Sequence, residues 1–155
     1  MDPAFKQFVE MLHLSFERLM QMPPLKMSAL PPRLPEKCIY VLSEKKNYLY
    51  VGRTRRLRQR LRQHSVAGAQ HNQAVFAFKL AREATGRLAA AYSSKGSRKA
   101  MCAEPAFAKA FKDAKARVRN MDLRFVEEPD PTRQALLEIY ASVVLRTKYN
   151  DFDTH

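Results

Sequence analysis

The sequence is poor in acid, poor in cysteine and without long apolar runs. Asp and Glu total 15 against 28 Lys and Arg, a formal net charge of +13. A balance this basic favours polyanionic partners, nucleic acid first and an anionic membrane surface second. The two cysteines, Cys38 and Cys102, form no CxxC pair. That argues against a structural zinc site and fits a reducing compartment better than a disulfide framework. No apolar run reaches the roughly 18 residues of a membrane-spanning helix. The opening "MDPAFKQFVEML" lacks the basic start and continuous apolar block of a secretory leader. These absences point to a cytoplasmic protein with no membrane partner. Internal repeats are absent too, as is any separate zinc-finger or helix-turn-helix module. What remains is 155 residues, 46% hydrophobic, enough for a core and too apolar for a disordered basic tail.

Residues 3–21 place Phe5, Val9, Leu12, Phe16 and Leu19 at helical spacing behind Pro3. Such a helix either packs on the domain or serves as a dimerisation helix or arm. Residues 23–37 hold five prolines and read as an extended linker, neither strand nor helix. "CIYVL" (38–42) and "YLYVGR" (48–53) read as strands joined by the polar hairpin loop "SEKKN". Thr54 is placed to cap a helix through about residue 65, anchored by Leu57 and Leu61. A second helix fits 73–84, and 86–100 looks like a flexible loop. A third helix fits 105–119, with Phe107 and Phe111 in its stack. "MDLRFVEE" (121–128) reads as the third strand, and Asp130 with Pro131 opens a last, largely apolar helix. The expected fold is α/β (α+β): a small three-stranded, mainly antiparallel sheet flanked by helices. The expected domains are an N-terminal helix (1–22), a Pro-rich linker (23–37) and a main domain (38–155) with an insertion around 86–104.

Chemistry concentrates in two places. Six arginines fall within residues 53–62. Arg56, Arg60 and His64, four apart, would form one column on the helix, with Leu57 and Leu61 buried beside it. Arg53, Arg55, Arg58 and Arg62 surround that column. Like charges at this spacing repel, and an anionic partner offsets the cost. Arg also matches phosphate oxygens with a planar fork. On the hairpin, Tyr40 and Tyr50 lie on neighbouring strands and can share a face. A phenol works as a base at neutral pH only beside strong positive charge or a metal-bound water. Far along the chain, Glu138 is the acid of "QALLEIYASVVL", on a stripe with Gln134 and Ser142. That stripe is either a narrow wet face or a rigidly held carboxylate able to ligate Mg²⁺.

"CIY" at 38–40 and "YVG" at 50–52 resemble the signature of the GIY-YIG nuclease superfamily. Arg60 and His64 stand at matching distances on the following helix, Glu138 on a later helix and Asn150 after it. The resemblance spans residues 38–150. It implies a metal-dependent endonuclease that hydrolyses DNA phosphodiester bonds. Tyr40 would activate or orient the attacking water, with Tyr50 and His64 assisting. Arg60 would neutralise the scissile phosphate. Glu138 would bind one Mg²⁺ or Mn²⁺, Gly52 would form part of the site floor, and Asn150 would support the local structure. Cys38 stands where the family has Gly, a change tolerable in a regular strand. Arg53, Arg55, Arg56, Arg58, His71, Lys95, Arg98 and Lys99 are the candidate nucleic-acid contacts. Double-stranded DNA is the first expected substrate and single-stranded DNA the second. A stand-alone member of this size resembles the restriction or genome-defence branch, and duplex cleavage by two sites would call for a homodimer. The competing expectation is a basic nucleic-acid-binding module without catalysis.

Overall fold

A computed structural model of the chain describes residues 1–87 and 97–152. In chain order the elements are α1 (Pro3–Gln21), β1 (Leu25–Lys26), β2 (Cys38–Glu44), β3 (Asn47–Thr54), α2 (Leu57–Ser65), α3 (Val75–Ala84), α4 (Arg98–Ala103), α5 (Pro105–Arg119), β4 (Asp122–Glu127) and α6 (Pro131–Leu145). They form two compact units: Met1–Arg58 with Met121–His155, and Gln59–Asn120.

The first unit holds an antiparallel sheet of four strands in the order β1-β4-β2-β3. The expected three-stranded sheet is therefore corrected to four, while the α+β class holds. The extra strand comes from the Pro-rich stretch. Leu25 and Lys26 lie between its prolines, keep their N–H groups and pair with Leu123 and Asp122. Lys26 Nζ also lies 2.8 Å from Asp122 Oδ1. A 3-10 turn at Met27–Ala29 follows. The expectation of an extended linker throughout 23–37 thus fails at Leu25–Ala29.

On one face of this sheet Ile39, Val41 and Val51 pack with Leu12 and Leu19 of α1 and with Leu137 and Ala141 of α6. By strand alternation Tyr40, Leu42, Tyr50 and Gly52 point to the other face. Both packing helices start on strong signals. Asp2 Oδ1 accepts the Phe5 N–H at 3.0 Å and Asp130 Oδ1 accepts the Arg133 N–H at 2.8 Å, each with a proline at the next position. The α6 helix ends where Arg146 turns left-handed (φ 52°).

Two local expectations change. The Thr54 Oγ1 accepts the Arg56 N–H at 3.0 Å and closes a tight turn, so the helix opens only at Leu57. Arg56 therefore precedes α2. The described end of the expected 86–100 loop is helical, because the Ser97 side chain caps α4 by accepting the Ala100 N–H at 3.1 Å.

In the second unit α3 and α4 both pack on α5. Phe78 meets Phe107 and Phe111 at ring-centroid distances of 5.2 and 5.9 Å. Buried Lys115 donates to the carbonyls of Ala67 (2.5 Å) and Ala69 (2.9 Å). Burial is the main cause lowering its pKa. His64 is fully buried. Burial first, and the Arg60 charge second, push its pKa down to about 3, so the folded ring is neutral.

Two outcomes follow. Leu19 is completely enclosed, so Leu19→Ala should cost about 2–5 kcal/mol in urea unfolding. A loss near zero would make α1 a loose arm. The His64 ring takes up a proton in the unfolded chain near pH 6.5 but in the folded chain only near pH 3. Its contribution to stability is thus complete above about pH 6.5. It falls as the pH drops toward 3, by up to about 1.4 kcal/mol per pH unit. Unfolding midpoints measured across that window should lose this slope in His64→Gln; an unchanged slope would contradict the buried neutral ring.

Candidate active site

The hairpin register sets the first part of the site. Tyr40 pairs with Gly52 and Leu42 with Tyr50, so the two tyrosines are diagonal neighbours on one face. Their ring centroids are 6.2 Å apart. A bulge at Leu42/Ser43 shifts the register of β3. It accounts for Tyr48 packing with the Ile39 cluster while Tyr50, two residues on, meets Tyr40. Tyr40 is fully buried and Tyr50 half-buried. The ring of Tyr40 lies over Gly52. A Cβ on Gly52 would overlap the Tyr40 hydroxyl and Cζ and stand 2.8 Å from Cε1. The glycine is needed for space, not for an unusual backbone angle. At Cys38, which is fully buried, burial pushes the thiol up to about 12. It is a free cysteine like Cys102, in a regular strand that does not require glycine.

The chain after α6 secures the outer edge of this hairpin. Asn150 Oδ1 accepts the Val51 N–H at 2.8 Å, and its Nδ2 donates to the Val51 carbonyl at 2.7 Å. One side chain thus satisfies both edge groups of the residue between Tyr50 and Gly52, as a further strand would. Thr147 Oγ1 donates to Asn150 Oδ1 at 2.7 Å, and the Tyr149 N–H bonds the Leu49 carbonyl at 3.2 Å.

On α6 the stripe Gln134–Glu138–Ser142 has buried ends and a half-buried middle. Gln134 Nε2 donates to the carbonyls of Glu128 (2.8 Å) and Thr54 (3.3 Å). Glu138 Oε2 lies 3.0 Å from Arg53 Nε, which brings the carboxylate to the residue directly after Gly52. Burial raises the pKa of Glu138, and Arg53 opposes that rise. Among the described residues no three His, Cys, Asp or Glu side chains cluster as a metal cage. A single, partly solvated carboxylate suits Mg²⁺ or Mn²⁺, which keep waters and take substrate phosphate as a ligand; it does not suit a structural zinc.

The remaining expected contacts divide. Arg55 and Arg56 are exposed. Arg58 donates to the carbonyls of Pro31 (2.7 Å) and Pro32 (3.2 Å), tying down the Pro-rich stretch. In the second unit Arg60 is half-buried and donates to the Gln73 carbonyl at 3.0 Å. The expected surface column of Arg56, Arg60 and His64 does not form, since Arg56 precedes the helix and His64 is enclosed. His71 and Lys99 line an open pocket of about 490 Å³ with Gln70, Cys102 and Phe111. The Arg98 guanidinium lies 5.4 Å from the Phe78 ring centre. Lys95 lies outside the described residues. Sequence reasoning missed two things here. Arg53, taken as a DNA contact, has Glu138 as its partner 85 positions later, and no local pattern announces that. The cationic Lys115 is buried, where a solvated charge would be the ordinary expectation.

Residues 36–97 match the model of the GIY-YIG catalytic domain. The match takes in Tyr40, Tyr50, Gly52, Arg60, His64 and His71, while Glu138 and Asn150 lie beyond it. No curated protein matches the chain. No solved structure matches it. Among the described residues no helix is long and apolar enough to cross a membrane. The tyrosine hairpin thus opens a segment that matches a catalytic domain of nuclease type, and the match over residues 36–97 supports membership of the GIY-YIG superfamily.

Proposed function

We propose that the protein is a Mg²⁺- or Mn²⁺-dependent DNA endonuclease. The observation that carries this reading is the meeting of Tyr40 and Tyr50 over Gly52, within the matched domain, on the strand that Glu138 reaches through Arg53. The tyrosine hydroxyls orient and help deprotonate the attacking water, Tyr50 being the member that solvent reaches. Arg60 stabilises charge on the scissile phosphate, and neutral His64 holds or relays a proton. Glu138 is the protein ligand for one divalent cation, which supplies Lewis-acid stabilisation of the leaving oxygen when bound. Asn150 and Gly52 are positioning residues: one fixes the strand edge and the other leaves room for the Tyr40 ring. Arg55, Arg56, His71, Arg98 and Lys99 supply phosphate contacts, and Lys95 belongs with them by sequence.

The net charge supports a polyanionic substrate, with duplex DNA ahead of single strands. On α6, Ile139, Val143 and Val144 are exposed, which supports pairing of two copies for duplex cleavage in the manner of a cytoplasmic restriction or defence enzyme. One observation favours a second reading, that of a binding module without catalysis: Tyr40 and His64 are fully enclosed.

Plasmid DNA incubated with the full chain separates the two. Cleavage should require Mg²⁺ or Mn²⁺, stop in EDTA and fall by at least about 100-fold in Glu138→Ala. DNA binding by that variant should persist. Equal cleavage by Glu138→Ala would remove the metal role, and no cleavage of plasmid, single-stranded DNA or RNA by the wild type would leave the binding module. A fixed motif at the sequenced product ends identifies restriction.

A further inference from the structure

We propose that Arg53 couples metal loading to the arrival of DNA, holding Glu138 in the free protein and passing to a strand phosphate when DNA binds. The inference rests on the reading of Glu138 as the metal carboxylate and of DNA as the ligand. It starts from a competition. The Arg53 guanidinium lies 3.0 Å from Glu138 Oε2, and a cation and a guanidinium repel each other at one carboxylate.

Three features make the arginine the partner that moves. Half of the Arg53 side chain is exposed, against 19% of Glu138, so the carboxylate is held and the guanidinium is free to swing. Glu138 sits on α6 one turn from buried Gln134 and one turn from buried Ser142. Gln134 is committed to the Thr54 and Glu128 carbonyls, so its amide does not take the place of Arg53. Solvent reaches the pair from the arginine side, where a departing guanidinium is rehydrated at once, which lowers the cost of the exchange.

The alternative partner is chemically matched. A phosphate offers Arg two oxygens to its planar fork, and the exposed neighbours Arg55 and Arg56 draw a strand to this point. Moving Arg53 to that phosphate removes one positive charge from beside Glu138. The carboxylate then binds a divalent cation more tightly. By linkage, the cation tightens DNA binding by the same factor. The free protein would hold its metal weakly, and the complete site would assemble on the substrate.

The test is Mn²⁺ binding by the full chain, read from the free Mn²⁺ electron paramagnetic resonance signal. It is run with and without a short phosphorothioate duplex, which is hydrolysed slowly. Glu138→Gln supplies the background from metal held by the duplex itself. In the wild type the duplex should tighten Glu138-dependent binding by about tenfold. In Arg53→Ala, binding without DNA should already be about tenfold tighter, and the duplex, acting only through its phosphate as a further ligand, should tighten it by a clearly smaller factor than in the wild type. Arg53→Gln, which keeps polar bulk without the charge, should behave like Arg53→Ala. Wild-type Mn²⁺ affinity and wild-type DNA coupling in both variants would overturn the role of Arg53 while leaving Glu138 as the ligand. Equal Mn²⁺ binding by wild type and Glu138→Gln would overturn the reading of Glu138 itself, and the coupling with it.

Discussion

The ring of Tyr40 lies over Gly52, and the rest of the candidate site is arranged around that contact. Any side chain at 52 would occupy the space of the phenol. With the ring in place, Tyr40 and Tyr50 become diagonal neighbours on one sheet face. The other face is left to Ile39, Val41 and Val51, which carry the packing of α1 and α6. One strand pair thus divides its labour by alternation: odd positions hold the unit together and even positions carry the two tyrosines of the proposed site. A bulge lets Tyr48 join the packing side without moving Tyr50.

A site on β3 sits on a sheet edge, where unpaired backbone groups invite slippage or foreign pairing. The chain meets this with its own C-terminal segment. Asn150 takes both edge groups of Val51, and Tyr149 takes the carbonyl of Leu49. The same segment follows α6, so the helix that presents Glu138 and the residue that fixes the strand edge are tied together in sequence. Gln134 adds a second tie, from α6 to the last carbonyl of β3. The carboxylate is therefore held by helix packing and strand-edge bonds rather than by a loop, which is the rigidity its proposed role calls for.

Much of this was legible because it is local. The hairpin, the helix caps at Asp130 and Pro131, the aromatic stack of α5 and the polar stripe through Glu138 all announce themselves within a few residues. The two-residue strand at Leu25–Lys26 did not, because prolines on both sides masked a pair that still keeps its N–H groups. The Ser97 cap was hidden by the loop-like Gly, Ser and Lys around it. The burial of His64 was missed because helical spacing gives a column but not which side of the helix is covered; only packing decides that. The Arg53–Glu138 pair was out of reach for the same reason as the Asn150 clamp's geometry: both join residues 85 or more positions apart.

The central claim is that the paired phenols do chemistry rather than fill space. It is tested most directly by the single-turnover rate of plasmid cleavage by the Tyr40→Phe, Tyr50→Phe double variant. Both rings remain, so the packing over Gly52 is kept and only the hydroxyls are lost. The account predicts a folded protein that binds DNA and cleaves at least about 100-fold more slowly. Cleavage at the wild-type rate would contradict it.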